Sequence, residues 1–284
     1  SQYGQDVDGV IGIDPVFLQY LLGLVGNVSL PDGTVVDGTN AAKVLMHDVY
    51  WNYPVEESDG IFASVASAAF DKILGGIGDV DVTKLVSAVE RGAEEGRLIA
   101  WMRNDDEQNA IKETGIDASL PNPDDPSADP VAGVYFNNLS FSKLDWYLNA
   151  DTQIGQGIKN GDGTCSYRIT VTLTNIMTQE EAGKLPDYVA ASAPDAARDD
   201  ERLNVSLFAP TGGNITDLTV EGTQFGLGAA TWHGIPFYSG TVDLHAGETT
   251  TITYTLTTSA EAGDKPLTLR QTPTCQAARD SASA

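Results

Sequence analysis

The chain is poor in basic residues, cysteine, histidine and long apolar runs, and each shortage removes a class of function. Only 16 residues are Lys or Arg against 40 Asp or Glu, which gives a formal charge of -24 and a pI near 4.1. A surface this negative repels phosphate backbones, so no nucleic-acid partner is expected, and anionic lipid is disfavoured for the same reason. The charge serves solubility or life in an ion-rich medium, or else it attracts cationic ligands and divalent ions. No apolar run approaches the ~18 residues that a membrane helix needs. The greasiest stretch, Val16 to Val28, is broken by Gln19, Gly23 and Gly26 and reads as a core helix. The chain opens on Ser-Gln-Tyr-Gly-Gln-Asp without Met or signal peptide. It is therefore expected to be an excised fragment whose targeting or anchoring segment lies upstream, and a membrane enters only through that anchor.

The three histidines (His47, His233, His245) are scattered and no Cys-x-x-Cys occurs, so neither a metal site nor a cofactor is expected. Two cysteines remain, Cys165 and Cys275, in stretches that alternate apolar and polar residues. A disulfide between them would close a loop of roughly 100 residues, worth about 4–5 kcal/mol in the chain-entropy model. It would also place the protein in an oxidising compartment. The alternative is two buried thiols in a cytosolic protein.

What the chain does contain is 41% hydrophobic residues over 284 positions, enough for packed cores and about two domains. Residues 1–122 carry helix punctuation. Asp14-Pro15 offers an N-cap and an N1 proline, Thr39 a second cap, Ser58 a third before Gly75-Gly76, and Asp81 a fourth before Gly96. Arg97-Leu-Ile-Ala-Trp-Met102 reads as one short central strand, and Asn104 or Asp105 caps a helix that ends at Gly115. Four prolines between Leu120 and Pro130 mark a linker or long loop. Val131 to Phe136 could still return as a strand to the first domain's sheet.

From 131 to 284 the period changes to two. Tyr167–Thr174, Leu203–Phe208 and Thr249–Leu256 alternate cleanly, and Asn214–Val220, Phe237–Leu244 and Leu267–Arg270 add shorter strands. Glu180 to Glu201 reads as an acidic surface loop, and the tail from Ala277 as frayed. The fold class expected is an α+β chain of two parts: a helix-rich α/β half that belongs to a larger domain, followed by an antiparallel immunoglobulin-like β-sandwich.

Catalytic motifs fail on inspection. Gly76-Ile-Gly78 follows a helix, and Gly226-Leu-Gly228 sits among strands, so neither builds a dinucleotide turn. Ser140-Phe-Ser-Lys143 lacks the accompanying Lys-Thr-Gly. Asp6-Val-Asp8 and Asn160-Gly-Asp162 do not complete a calcium loop. One cluster invites a ligand: Arg97, Trp101, Arg103, Asn104, Glu107 and Gln108, at the junction of a strand with the next helix. Local capping, with salt bridges to Glu94, Glu95 or Asp105, explains the same residues.

Phrases along the chain resemble a known family: Val7-Asp-Gly-Val-Ile-Gly-Ile-Asp-Pro15, Leu30-Pro-Asp-Gly-Thr34, Asn40-Ala-Ala-Lys-Val-Leu-Met-His-Asp-Val-Tyr50, Glu95-Gly-Arg-Leu-Ile-Ala-Trp101, Ser142-Lys-Leu-Asp-Trp-Tyr147 and Leu185-Pro-Asp-Tyr-Val189. The chain resembles the C-terminal half of the bacterial envelope family catalogued as domain of unknown function 4012. The resemblance implies an exported protein, anchored near its N-terminus, chiefly actinobacterial, with no assigned chemistry. Val7-Asp-Gly-Val-Ile, Gly26-Asn-Val, Pro31-Asp-Gly and Asn40-Ala-Ala are also similar to a stretch of the LytR-CpsA-Psr enzymes, which transfer lipid-linked glycopolymers to peptidoglycan. That likeness implies a cell-wall glycopolymer or polyprenyl-linked sugar as partner. In those enzymes the stretch leads into pyrophosphate-gripping arginines, whereas Met46-His-Asp-Val-Tyr-Trp-Asn-Tyr-Pro54 contains none. The expectation is an exported, non-catalytic binding or structural module, with a degenerate transferase as the alternative.

Overall fold

The structure, a computed structural model, describes residues 6–30, 32–76, 80–117, 119–221 and 226–276. The second glycine of Gly76-Ile-Gly78 and the tail from Ala277 lie outside the described residues. About 30% of the chain is helix and 33% strand, and the two are segregated: helices dominate residues 1–120, strands 121–284, which form separate compact units.

In the first unit, β1 (Gly9–Ile13) leads into α1 (Pro15–Val25), whose start is fixed by Asp14 Oδ1 accepting from Phe17 N at 2.7 Å. A small hairpin follows, β2 (Val28–Ser29) with β3 (Val35–Val36). The second expected helix is broken. It runs as α2 (Ala41–Lys43), a π-helical turn over Val44–Asp48, and α3 (Val49–Asn52). Its boundary residue is Asn40 rather than Thr39, which instead donates to Asp37.

Next come α4 (Val55–Gly76) and α5 (Val82–Glu94). Ser58 lies inside α4 and bonds back to Val55 O, because the helix begins directly after Pro54. Asp81 caps α5 through Thr83 N at 2.9 Å. Gly92 lets α5 approach α1: a Cβ there would stand 2.4 Å from the Phe17 ring. The expected strand is β4 (Leu98–Met102), and its partner is β1, antiparallel, with Ile11 opposite Ala100. Then α6 (Asp105–Thr114) ends on Gly115 in the left-handed region, φ 75°. The core joins Leu22 of α1, Val44 and Val49 of the broken helix, and Val65 and Ala69 of α4.

The second unit holds β5 (Val131–Asn138), β6 (Leu148–Ile154), β7 (Ile158–Lys159), β8 (Cys165–Asn175), a short α7 (Gln179–Ala182), β9 (Glu201–Phe208), β10 (Asn214–Glu221), β11 (Gly228–Trp232), β12 (Ile235–Leu244), β13 (Thr249–Thr257) and β14 (Thr268–Gln271). One five-stranded sheet has the order β10-β13-β8-β6, with β7 also on β8, and the other β11-β12-β9-β5-β14. Val131 to Phe136 thus belongs to the second unit's sheet, between β9 and β14. Pairing is antiparallel except for β14 on β5, which is parallel and departs from the all-antiparallel expectation.

The alternation of β8, β9 and β13 puts Ile169, Val171, Leu173, Val205, Leu207, Ile252 and Leu256 into one core shared by both sheets. The segment read as an acidic surface loop is anchored to the fold: Leu185, Val189, Ala190 and Asp200 are buried, as is Glu201 at the start of β9.

The disulfide is a correction. No bond joins Cys165 and Cys275, which are not close. Cys165 opens β8 opposite Lys159 of β7. Cys275 precedes Gln276, whose Nε2 donates to Trp146 O at 2.7 Å beside the start of β6, and β6 begins by pairing Leu148 with Asn175. The two cysteines therefore lie at opposite ends of β8, an 11-residue strand. At ~3.3 Å per residue that separation is about 30 Å, against the ~7 Å between Cα atoms that a disulfide tolerates. Sequence alternation identified the strand that Cys165 opens, whereas Cys275 lies past the end of β14 at Gln271, and alternation carried no information on which ends meet.

Candidate ligand site

The six residues singled out in the first unit divide into three environments. Arg97 sits on the turn between α5 and β4 and is 6% exposed. Its Nη1 lies 2.7 Å from Asp14 Oδ2, and its Nε donates to Glu95 Oε2. Glu95 also receives Arg91 Nε at 2.7 Å and the Tyr20 hydroxyl at 2.9 Å, while the Arg91 guanidinium lies 4.2 Å over the Tyr20 ring. Burial works against the Glu95 charge, but bonds from Arg91, Arg97 and Tyr20 outweigh it and hold the carboxyl below its ordinary value. Burial likewise opposes the charge on Arg97, and its bonds to Glu95 and Asp14 raise it on balance. A pyrophosphate approaching Arg97 would have to displace two carboxylates, Asp14 and Glu95, from a side chain already buried in the fold.

Asn104, Glu107 and Gln108 gather at the start of α6, where Asn104 caps the helix and Gln108 ties it to β4. Asn104 Oδ1 accepts from Asp106 N at 2.9 Å and Glu107 N at 3.1 Å, and Gln108 Oε1 accepts from Met102 N at 2.7 Å. Glu107 contributes its backbone N–H to this cap.

Trp101 and Arg103 stay at the surface. Trp101 is 48% exposed, and the Arg103 guanidinium reaches Asp6 at 3.5 Å with both side chains largely in water. The structure therefore brings Asn104, Glu107 and Gln108 together at the start of α6, commits Arg97 to Asp14 and Glu95, and leaves Trp101 and Arg103 at the surface.

Two further groupings had no counterpart in the sequence reading. The π-helical turn places His47 Nδ1 2.8 Å and Lys43 Nζ 2.5 Å from the same Asp48 Oδ1, with the His47 ring stacked on Trp51 at 5.4 Å. A Lys-x-x-x-His-Asp pattern hints at this, but only the extra residue in the turn brings the carboxylate to both.

In the second unit a cleft of about 400 Å³ is lined by Lys159, Asn160, Thr164, Cys165, Tyr167, Asp264 and Lys265. Lys159 pairs with Asp264 at 2.5 Å, and Lys265 with Asp129 at 3.3 Å. Burial and a bond to Cys165 push the Tyr167 hydroxyl up. This cleft joins β7, β8 and the segment before β14, a meeting that strand order alone decides. Among the described residues no three His, Cys, Asp or Glu side chains converge to hold a metal ion.

A protein-family model described as protein of unknown function (DUF4012) matches residues 1–50. The matched stretch spans β1, α1, the β2–β3 hairpin and the broken helix as far as Tyr50. A comparison with curated proteins gives no match. Among the described residues no helix is long and apolar enough to cross a membrane.

Proposed function

We propose that the chain is part of an exported cell-envelope protein and acts there as a non-catalytic binding or structural module, on the outer face of the cytoplasmic membrane. The observation that carries this reading is Arg97. The strongest candidate for gripping a phosphate is buried and bonded to Asp14 and Glu95. A guanidinium so occupied neutralises its own fold rather than a ligand. The second unit fits an immunoglobulin-like sandwich, since two five-stranded sheets share one core. Its 400 Å³ cleft, with two lysines and a tyrosine at the rim, suits one unit of a cell-wall glycopolymer or polyprenyl-linked sugar.

Export draws its support from the family likeness of the first fifty residues and from the acidic surface. The cysteines lend it none, because they do not bond.

A second reading, a degenerate or incomplete LytR-CpsA-Psr-like transferase, is favoured by one observation, the Lys43–Asp48–His47 grouping that directly follows Asn40-Ala-Ala, where the likeness to those enzymes ends. Incubating the chain with a polyprenyl-pyrophosphate-linked oligosaccharide and isolated cell wall separates the two. A binding module co-sediments with the wall and releases no polyprenyl phosphate. Release that is lost in His47→Ala overturns the proposal.

A further inference from the structure

No residue of β1 is buried. The strand pairs with β4 alone, so its second edge has no partner among the described residues. Arg103 N donates to Asp8 O at 2.8 Å and Asp14 N to Arg97 O at 3.2 Å. These two contacts fix the phase of the ladder. In an antiparallel pair the bonded positions alternate, so Val10 and Gly12 turn their polar groups to β4. Gly9, Ile11 and Ile13 turn theirs outward. Three N–H and three C=O groups therefore line an open edge.

The side chains around that edge are apolar and wet. Val10 is 53% exposed, Ile11 64%, Ile13 45% and Ile99 47%, beside the half-exposed Trp101. By contrast Leu98 and Ala100, on the opposite face of β4 from Ile99 and Trp101, are buried. Gly12 keeps the bare face low, since a Cβ there would stand 2.9 Å from the Ile99 side chain. A two-stranded sheet with an apolar face and an unpaired edge is a template for another strand.

Charge selects what can pair there. Asp6, Asp8 and Asp14 flank β1, and Asp105, Asp106 and Glu107 follow β4. Two cations answer them, Arg97 inside the fold and Arg103 on Asp6. A second copy is a poor occupant. Antiparallel self-pairing centred on Ile11 would set Asp8 against Asp14, and each copy carries a net charge of -24. We propose that β1 is a docking edge for an extended polypeptide segment that is apolar at alternate positions and flanked by Lys or Arg, which adds to the sheet as its third strand.

The test is hydrogen exchange on the intact 284-residue chain with a probe peptide, Lys-Lys-Val-Thr-Val-Thr-Val-Lys-Lys, capped at both ends. Docking slows exchange at Gly9, Ile11 and Ile13 by about tenfold or more and leaves Val10 and Gly12, already bonded to β4, unchanged. The same peptide with Glu in place of Lys gives no protection. Ile11→Pro removes the central outward N–H and abolishes protection of Gly9 and Ile13. Because proline can also disturb β1 itself, the double variant Ile11→Lys, Ile13→Lys serves beside it. It keeps the backbone donors, places like charge on the edge and loses the peptide as well. No protection by the basic peptide overturns the proposal, as does equal protection by the acidic one. A dimeric mass in sedimentation, with these three amides already protected in the free chain, assigns the edge to a second copy instead and overturns it too.

Discussion

Arg97 Nη1 and Asp14 Oδ2, 83 residues apart in sequence, meet at 2.7 Å and tie the start of α1 to the start of β4. The carboxylate does two jobs, since its other oxygen caps α1 through Phe17 N. Removing the cation takes Asp14 out of its ion pair and leaves Glu95 with Arg91. Arg97→Ala therefore costs on the order of 3 kcal/mol. Asp14→Asn, which keeps a capping oxygen, costs less, about 1–2 kcal/mol. Urea unfolding followed by helical circular dichroism checks both, and equal midpoints for Arg97→Ala and the parent would refute the pairing as a structural element.

Neighbouring residues in the same cluster respond differently. Asn104→Ala removes the cap of α6 and lowers stability by ~1 kcal/mol, whereas Arg103→Ala stays within ~0.5 kcal/mol of the parent. The same unfolding experiment reads both.

Glu201 predicts the pH dependence of the second unit. Its side chain is buried at the start of β9, and Oε1 lies 3.4 Å from Asn138 Nδ2, which also reaches Asp145 Oδ2 at 3.2 Å. Its Oε2 has no partner among the described residues. Burial first, then the charges of Asp145 and Asp200, push the Glu201 carboxyl well above its ordinary range, and burial raises Asp145 too. A raised carboxyl means that the folded chain holds a proton which the unfolded chain releases above about pH 4.3. Stability from this group is thus full below that pH and falls as pH rises towards the folded-state value. Glu201→Gln keeps the shape without the proton. It matches the parent at pH 4 and exceeds it by ~1–3 kcal/mol at pH 8. A constant difference between the two proteins across that range would contradict the assignment.

Tyr254 is fully buried in the core of the second unit, and its hydroxyl finds no hydrogen-bond partner among the described residues. Tyr254→Phe removes an unpaired polar group and keeps the ring. It leaves stability unchanged or raises it by up to ~1–2 kcal/mol, while Tyr254→Ala costs ~3–5 kcal/mol. Thermal melts of the three proteins test the pair.

The cysteines give a chemical prediction. Both thiols take up alkylating reagent when the chain is unfolded without reductant, and reductant leaves the melting temperature unchanged. A mass two protons lower, restored by reduction, would restore the disulfide.

How much of this was legible depends on whether the signal was local. Asp14-Pro15, Asp81 and Asn104 announce helix starts because a cap acts over three residues. The alternation in β8, β9 and β13 is local as well. β1 escaped because Gly-Val-Ile-Gly-Ile has no polar alternation, and its exposure contradicts what an apolar run ordinarily means. The π-helical turn escaped because Val44 to Asp48 keeps helical composition while its hydrogen bonds shift by one residue. Ser58 misled because serine also bonds back inside a helix. The site was legible as a list of residues and not as an arrangement. Arg97 carries the same charge in sequence whether it faces solvent or Asp14, and only the long-range pairing of β1 with β4 decides between them.

The most direct test of the account is titration of a short-chain polyprenyl pyrophosphate into the intact chain, followed calorimetrically and by the fluorescence of the exposed Trp101. With Arg97 held by Asp14 and Glu95, the titration gives no saturable signal, and Arg97→Lys gives the same result. Saturable binding that Arg97→Lys or Arg103→Ala abolishes would contradict the account and return the first unit to phosphate chemistry.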